Sequence, residues 1–518
     1  MRGARAGLIL FLVFLSAGCS SNRTGAEPGT INFLIEAMPT NLDPRIGTDA
    51  YSAHLDGLIF SSLVAHDARM DIIPDLAERW ETPDPLTYVF HLRPGVKFHD
   101  ERPLTSADVK YTFDSILTGG LRTTKRGAFR MVTAVEAPDE LTVVFHLREP
   151  YASFLWNLTR PGVGIVPRGA GLEVAQHPIG TGPYRFVSMK TDEEIVLDRN
   201  PEYFGAASGG AAIPSSGTRI ERLRFRIVPD AIVRALELRK GSADAEINSL
   251  TPDMVVALGK EPGIVVDEQP GTPLTYVAFN FEDPVLAHRE VRQALAYATD
   301  RAGIIRYLLR GQARAASSLL PPNHWAFDAD VKQYDFDPAR AEQLLDAAGY
   351  RRGANGVRIR LTLKTSTDES TRLFAAVLAD QWKRVGVALE LKSLEFATFY
   401  SDITRGSFQL YTGRWVGGNS DPDMFEYVFS SKKVPPEGAN RGHYRNPELD
   451  ALLDRARVEM DREKRKAILW EVQKIVAEDE PYINLWYPDN VCVHRARLEE
   501  VEIPPGGDYE FLAGARLK

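Results

Sequence analysis

The sequence predicts a mixed α/β protein built from more than one domain. Three features carry that reading: the length, a strand-rich first half with an internal echo, and a second half in which strands alternate with well-capped helices. With 518 residues, 44% hydrophobic and 25% charged, the chain has ordinary globular composition and a length suited to roughly two to four domains. Strands alternating with helices indicate α/β units on a parallel or mixed sheet.

The echo lies in Leu86–Arg93 (LTYVFHLR) and Leu141–Arg148 (LTVVFHLR). Both alternate and are rich in β-branched and aromatic residues, as half-buried strands are. Tyr88, Phe90 and Leu92 share one face, and Val89, His91 and Arg93 the other. His91 and its counterpart His146 are therefore expected to face outward on a sheet. One echo is too few for a solenoid and marks a single β-rich subdomain.

In the second half, Asp337-Pro338 opens a helix with proline at its first position, and Gly349 closes it. Ala341, Leu344, Leu345 and Ala348 fall on one face. Helical patterns also run over Val291–Leu309, Thr371–Val385, Pro447–Val458 and Arg462–Val476, interleaved with strand-like Arg358–Leu363 and Leu389–Leu394. The shift from strand-rich to helix-rich sequence predicts a domain boundary near residue 270. The Gly/Ala/Ser-rich stretch Gly205–Gly217 lacks apolar bulk and reads as a surface loop.

At the N-terminus, Arg2 and Arg5 precede the apolar run Leu8–Leu15, too short to span a bilayer, which reads as a signal peptide. The run ends in Leu15-Ser16-Ala17-Gly18-Cys19. This resembles a bacterial lipobox with Ser16 where leucine is usual, and predicts lipidation of Cys19. Ser20–Pro28 then reads as a flexible tether. Cys492 is the only other cysteine, so a lipidated Cys19 leaves no intramolecular disulfide. In Asn490-Val491-Cys492-Val493, Cys492 is expected to be a small buried hydrophobe in a strand.

Charge and motifs narrow the function. With 62 basic against 70 acidic residues the net charge is -8, which argues against a nucleic-acid partner. The basic stretch Arg462–Lys466 contains Glu463 and reads as a solvated helix face. The sequence has no His-Glu-x-x-His, no Cys/His cluster, no Walker phosphate loop and no Gly-x-Ser-x-Gly. An extracytoplasmic hydrolase is thus a distant alternative, and no metal site or cofactor is expected.

Several motifs occur in a recognisable order. Asn41-Leu42-Asp43-Pro44 is followed by Ile59–Leu63, Pro74–Trp80, Phe90–Asp100, Pro103–Asp114, Pro178–Tyr184, Arg199–Phe204 and Val277-Ala278-Phe279-Asn280. In these motifs, from about Asn32 to Leu498, the chain resembles the bacterial extracellular solute-binding proteins of family 5, the dipeptide-, oligopeptide- and nickel-binding lipoproteins of ABC transporters. The resemblance implies a bilobal, type II periplasmic-binding-protein-like α/β fold, with an extra inserted domain and mixed sheets flanked by helices, whose lobes close about a hinge. It divides the chain into a signal peptide (1–18), a lipidated tether (19–30), a lobe I core (31–50, 171–270 and 481–518), an inserted β-rich domain (51–170) and lobe II (271–480). The implied function is capture of a peptide-like solute outside the cytoplasmic membrane. The solute is then delivered to ABC permease subunits served by a separate ATPase. The implied protein is a monomer, held at the membrane by its lipid and without a nucleic-acid partner. A nickel chelate, an opine or an oligosaccharide is the alternative solute.

A pocket between hinged lobes needs polar groups, aromatic walls and segments that bend. Tyr411–Asp423 resembles the family's ligand-recognition loop and nominates Arg414, Trp415, Gly418, Asn419, Asp421 and Asp423. In peptide-binding members an aspartate of this loop pairs with the ligand's α-ammonium. Here Gly418 stands at that position, with Asp421 and Asp423 as nearby substitutes. Arg372 falls where some dipeptide binders place an arginine for the ligand carboxylate; a solvated helix charge is the other reading. Trp415, Trp325 and Tyr400 are candidate walls. Asn280, and Thr181 and Gly182 in the turn Gly180–Pro183, complete the set, the turn being expected near cleft and hinge because its glycines permit close backbone approach.

Overall fold

The computed structural model describes residues 28–159, 163–205, 219–417 and 421–518. Cys19, Gly418, Asn419 and nearly all of the Gly205–Gly217 stretch lie outside the described residues. Two large mixed sheets and one smaller antiparallel sheet organise the rest.

The first large sheet has seven strands in the order Ile264–Gln269, Asn490–Arg495, Ala245–Ile247, Thr30–Ile35, Arg222–Ile227, Glu194–Arg199, Tyr184–Lys190. Thr30–Ile35 runs parallel to both Arg222–Ile227 and Ala245–Ile247, and the other pairs are antiparallel. Phe33, Phe225 and Tyr509 pack on one face, and Leu34, Leu238 and Val493 on the other. Cys492 is fully buried in Asn490–Arg495, as its apolar neighbours predict.

The second large sheet has six strands in the order Ala313–Ala315, Tyr482–Pro488, Leu274–Phe279, Leu410–Trp415, Ile359–Ser366, Val387–Leu394. Ile359–Ser366 is parallel to Val387–Leu394 and to Leu410–Trp415. Helices cover both faces, which is why Leu274–Phe279 (LTYVAF) is buried at every position instead of alternating. The helix with the clearest caps is Pro338–Ala347, its N-cap Asp337 accepting from Arg340 N at 2.9 Å. The single helix read over Val291–Leu309 is two, Arg289–Tyr297 and Arg301–Tyr307. Asp300 caps the second by accepting from Gly303 N (2.8 Å), and that local capping bond competes with helix continuation.

The small sheet orders Ala77–Asp84, Thr87–Leu92, Thr142–Leu147 and Val132–Asp139. The two echoed segments are its central pair, antiparallel, with Tyr88 opposite Phe145 and Phe90 opposite Val143. Their inner residues form one core with Phe113 and Phe129, while His91 faces outward to Glu81 (3.2 Å) and His146 to Glu136 (3.5 Å).

Among the described residues, two chain segments pass directly between the large sheets. One joins Gln269 to Leu274 and the other joins Pro488 to Asn490. A Cβ on Gly271 would meet Pro488 O at 2.2 Å, so the two crossings touch backbone to backbone. Around them Arg314 donates to Gly271 O (3.0 Å) and Asp489 (3.2 Å), and Asn490 donates to Pro504 O and Pro505 O (3.1 and 2.9 Å). Asn248, at a φ of 59°, donates to Asn490 Oδ1 (3.0 Å).

Candidate functional site

Ligands of open α/β sheets bind off the carboxyl ends of the parallel strands. In lobe II those ends are Ser366, Leu394 and Trp415. The helix Glu369–Arg384 starts beside the first, carrying Arg372, and the helix Phe396–Thr404 beside the second, carrying Tyr400. Arg414 and Trp415 end the third strand. Topology therefore gathers Arg372, Tyr400, Arg414 and Trp415, all nominated from sequence, on one edge. Arg372 and Arg414 are both solvent-exposed. Against the cost of burial, hydrogen bonds from Thr371 and Ser370 and the charge of Arg414 hold the Asp368 carboxyl below its usual range.

Trp415 belongs to an aromatic stack. Tyr482 lies on Tyr276 at 4.2 Å and 8°, and Tyr276 on Trp415 at 5.8 Å and 14°. Gly413 sits directly across from Tyr276, and a Cβ there would lie 2.4 Å from the tyrosine ring; the glycine in mid-strand makes room for the stack. The Arg441 guanidinium lies 5.3 Å from the ring centres of both Trp415 and Tyr400.

Lobe I offers acids at the matching edge. Glu36 follows the end of Thr30–Ile35 and is 49% exposed. Glu246 is buried in Ala245–Ile247. Its Oε2 accepts from Ser249 while Oε1 has no hydrogen-bond partner among the described residues, and burial pushes its carboxyl up to about 7. His54 bonds Asp508 at 3.1 Å and stacks on Tyr509 at 4.6 Å. Burial, then the charges of Asp508 and Asp75, push Glu510 up to about 8.

Asp421 and Asp423 are committed elsewhere. Ser153 of the inserted domain donates to Asp421 Oδ1 (2.8 Å) and accepts from Arg465 Nη2 (2.8 Å), which also holds Asp423 Oδ1 (2.8 Å). Ser153 and Asp421 are each 1% exposed. Around this contact Ala152 N donates to Arg457 O (3.0 Å), and Arg457 pairs with Glu149 (2.5 Å). These carboxylates therefore join the inserted domain to lobe II, and do not stand free as substitutes for an aspartate at 418.

The remaining candidates also lie away from the Trp415 edge. Because Leu274–Phe279 runs antiparallel to Leu410–Trp415, Asn280 lies at the opposite end of that strand pair, about 20 Å from the Trp415 edge. Its side chain donates to Gly406 O (3.2 Å) and Phe408 O (2.8 Å), so Asn280 staples a loop. Thr181 is buried, and Gly182 donates to Ile59 O (2.9 Å) with room for no Cβ against Leu58 and Ile59. The glycine reading of close approach is correct, but the approach is to the end of the helix Ala50–Ile59, and the inter-lobe crossings are the two segments beside Gly271 and Asp489. Trp325 borders a cavity of about 240 Å³ between the inserted domain and lobe II, with Asp71, Asn323 and Arg462. Arg441 and Ser153 stand in no motif, and Arg465 lies in the stretch read as a solvated helix face; instead it is 7% exposed, because the fold brings Ser153 and Asp423 against its guanidinium.

Two lobes joined by two short crossings, each with polar and aromatic groups at its strand ends, have the build of a bilobal solute-binding protein. Residues 71–435 match the model of the bacterial extracellular solute-binding proteins, family 5 middle region, and the chain belongs to this family. It is 30% identical to the heme-binding protein A of Haemophilus influenzae, covering 90% of this chain and 89% of the relative. It is 28% identical to the di/tripeptide-binding protein 1 of Pseudomonas aeruginosa, covering 92% and 93%. The periplasmic binding protein DppA of Helicobacter pylori, solved with the peptide STSA, superposes with a TM-score of 0.76 at 26% identity, over 94% of this chain and 98% of that one. Among the described residues no helix is long and apolar enough to cross a membrane.

Proposed function

We propose that this protein captures a peptide-like solute outside the cytoplasmic membrane, closes its lobes around it and delivers it to an ABC permease driven by a separate ATPase. The observation that carries the reading is the chemistry of the strand ends: acids on lobe I, with Glu36 exposed and 3.6 Å from Arg234, and Arg372, Arg414 and Trp415 on lobe II. A zwitterionic chain with free termini matches that polarity, its ammonium toward the acids and its carboxylate toward the arginines. With Gly418 in place of the loop aspartate, and Asp421 and Asp423 tied to Ser153 and Arg465, the ammonium is assigned to lobe I. Glu36 and Asp508 are its proposed partners. The relatives named for di- and tripeptide binding and the peptide-bound DppA support the peptide reading.

The protein acts as a monomer, tethered through lipidated Cys19, and binds without chemical conversion of its solute. Residues 31–50, 171–270 and 481–518 form lobe I, 51–170 the inserted domain and 271–480 lobe II. Native mass spectrometry of a soluble form beginning after Cys19, purified without denaturation, tests the reading. A ladder of masses that fragment as peptides is expected. A metal chelate, a glycan or a tetrapyrrole released instead would overturn it.

A further inference from the structure

We propose that Arg441 receives the carboxylate of the solute, and that the aromatic shelf around it takes the side chain next to that carboxylate, selecting peptides with a large apolar or aromatic C-terminal residue. This rests on the peptide reading above and adds to it the residue and the specificity. Three observations carry it. The first is charge: the Arg441 guanidinium forms no ion pair among the described residues, and its side-chain partners are neutral phenols, Tyr400 Oη at a long 3.4 Å and the buried Tyr411. By contrast Arg45, Arg292, Arg358 and Arg465 each have a carboxylate or two or more carbonyl partners. A half-buried arginine without an acid is a standing site for an anion.

The second is placement. Arg441 lies against Trp415, the residue at the carboxyl end of Leu410–Trp415, and Asp421 contacts the inserted domain through Ser153. The backbone that carries Arg441 is itself held: Asn440, 2% exposed, donates to Ser430 O and Tyr444 O (3.0 and 2.8 Å) and accepts from Tyr444 N (2.9 Å). Held on both sides by rings and behind by this loop, the guanidinium is preorganised.

The third is the exposed apolar surface beside it. Phe396 (62% exposed), Tyr400 (48%), Val416 (61%) and Tyr427 (44%) leave large apolar side chains in solvent. Tyr400 stacks on Phe396 at 6.0 Å, and Tyr427 meets Trp415 edge-on at 6.4 Å. Clustered exposure of this kind marks a surface that is covered when a ligand is present. An anion-binding arginine at the back of an aromatic shelf fits an α-carboxylate attached to a bulky apolar side chain.

Isothermal titration of the soluble protein with Ala-Ala-Phe, Ala-Ala-Phe amide and Ala-Ala-Ala tests this, with wild type compared to Arg441→Gln and Arg441→Lys. In wild type the free acid is expected to bind at least about tenfold tighter than the amide, and Ala-Ala-Phe tighter than Ala-Ala-Ala. Arg441→Gln should collapse the acid-to-amide ratio towards one, and Arg441→Lys should restore part of it. Thermal unfolding of each variant without peptide verifies that the fold is kept, and Phe396→Ala, which leaves the arginine untouched, should lose only the preference for phenylalanine. An acid-to-amide ratio unchanged in Arg441→Gln overturns the assignment while leaving peptide capture intact. If none of the three peptides binds wild type, the peptide reading itself falls and this one with it.

Discussion

Replacing Ser153 with alanine removes one hydroxyl from the junction between the inserted domain and lobe II. That hydroxyl donates to Asp421 Oδ1 and accepts from Arg465 Nη2, both at 2.8 Å, at a contact where Ser153 and Asp421 are 1% exposed and Arg465 is 7% exposed. Arg465 retains Asp423 (2.8 Å) and Ala456 O (3.1 Å), and Asp421 Oδ1 retains the Asp423 N–H (3.0 Å), so what is lost is one hydrogen bond to a buried, charged group. A buried polar group stripped of a partner costs roughly 1–3 kcal/mol, and we take about 2 kcal/mol here. Where opening parts this contact, the same carboxylate and guanidinium reach water and lose nothing. The cost therefore falls on the closed form alone and weakens apparent affinity by about thirtyfold, although Ser153 is not among the ligand-facing residues proposed here. Isothermal titration with the solute identified by native mass spectrometry, alongside calorimetry of the ligand-free protein, measures both sides. Unchanged affinity combined with a lower melting temperature of the ligand-free protein would refute the reasoning, because it would mean that the contact stays formed when the cleft opens.

Three further outcomes are expected. Gly271→Ala sets a Cβ 2.2 Å from Pro488 O, so the crossings must separate; the expected result is a loss of several degrees in melting temperature together with a changed closing rate in stopped-flow fluorescence, whereas Gly311→Ala, where a Cβ would meet nothing but φ is 89°, should lose stability without altering closing. Glu246→Gln should stabilise the protein above pH 7 and leave it unchanged below about pH 5, by up to about 3 kcal/mol in calorimetry. The reason is that burial raises the folded-state carboxyl to about 7, above its unfolded value, so ionisation costs the fold progressively as pH rises from near 4.5. Cys19→Ala, expressed from the full chain, should move the protein from the membrane fraction to the soluble extracytoplasmic fraction; continued membrane association would exclude a lipid at Cys19.

Local signals in the sequence determined much of this protein. Helix caps such as Asp337-Pro338, alternation in Thr87–Leu92, and the apolar setting of Cys492 are decided by neighbours within a few residues, and the structure keeps each of them. Arg372, Arg414 and Trp415 were legible for a related reason: each stands at the end of a strand or the start of a helix, and in a parallel sheet such ends share an edge. What the sequence left open depends on contacts distant along the chain. Asp421 and Asp423 look like free carboxylates until Ser153, 268 positions from Asp421, and Arg465 are brought against them. Asn280 looks like a cleft residue until the antiparallel pairing of its strand with Leu410–Trp415 sends it to the far edge. Arg441 carries no motif, and only packing between Trp415 and Tyr400 makes it an anion site. Caps and periodicity are written in adjacent residues, whereas charge pairing and burial are properties of residues that only the folded chain makes neighbours.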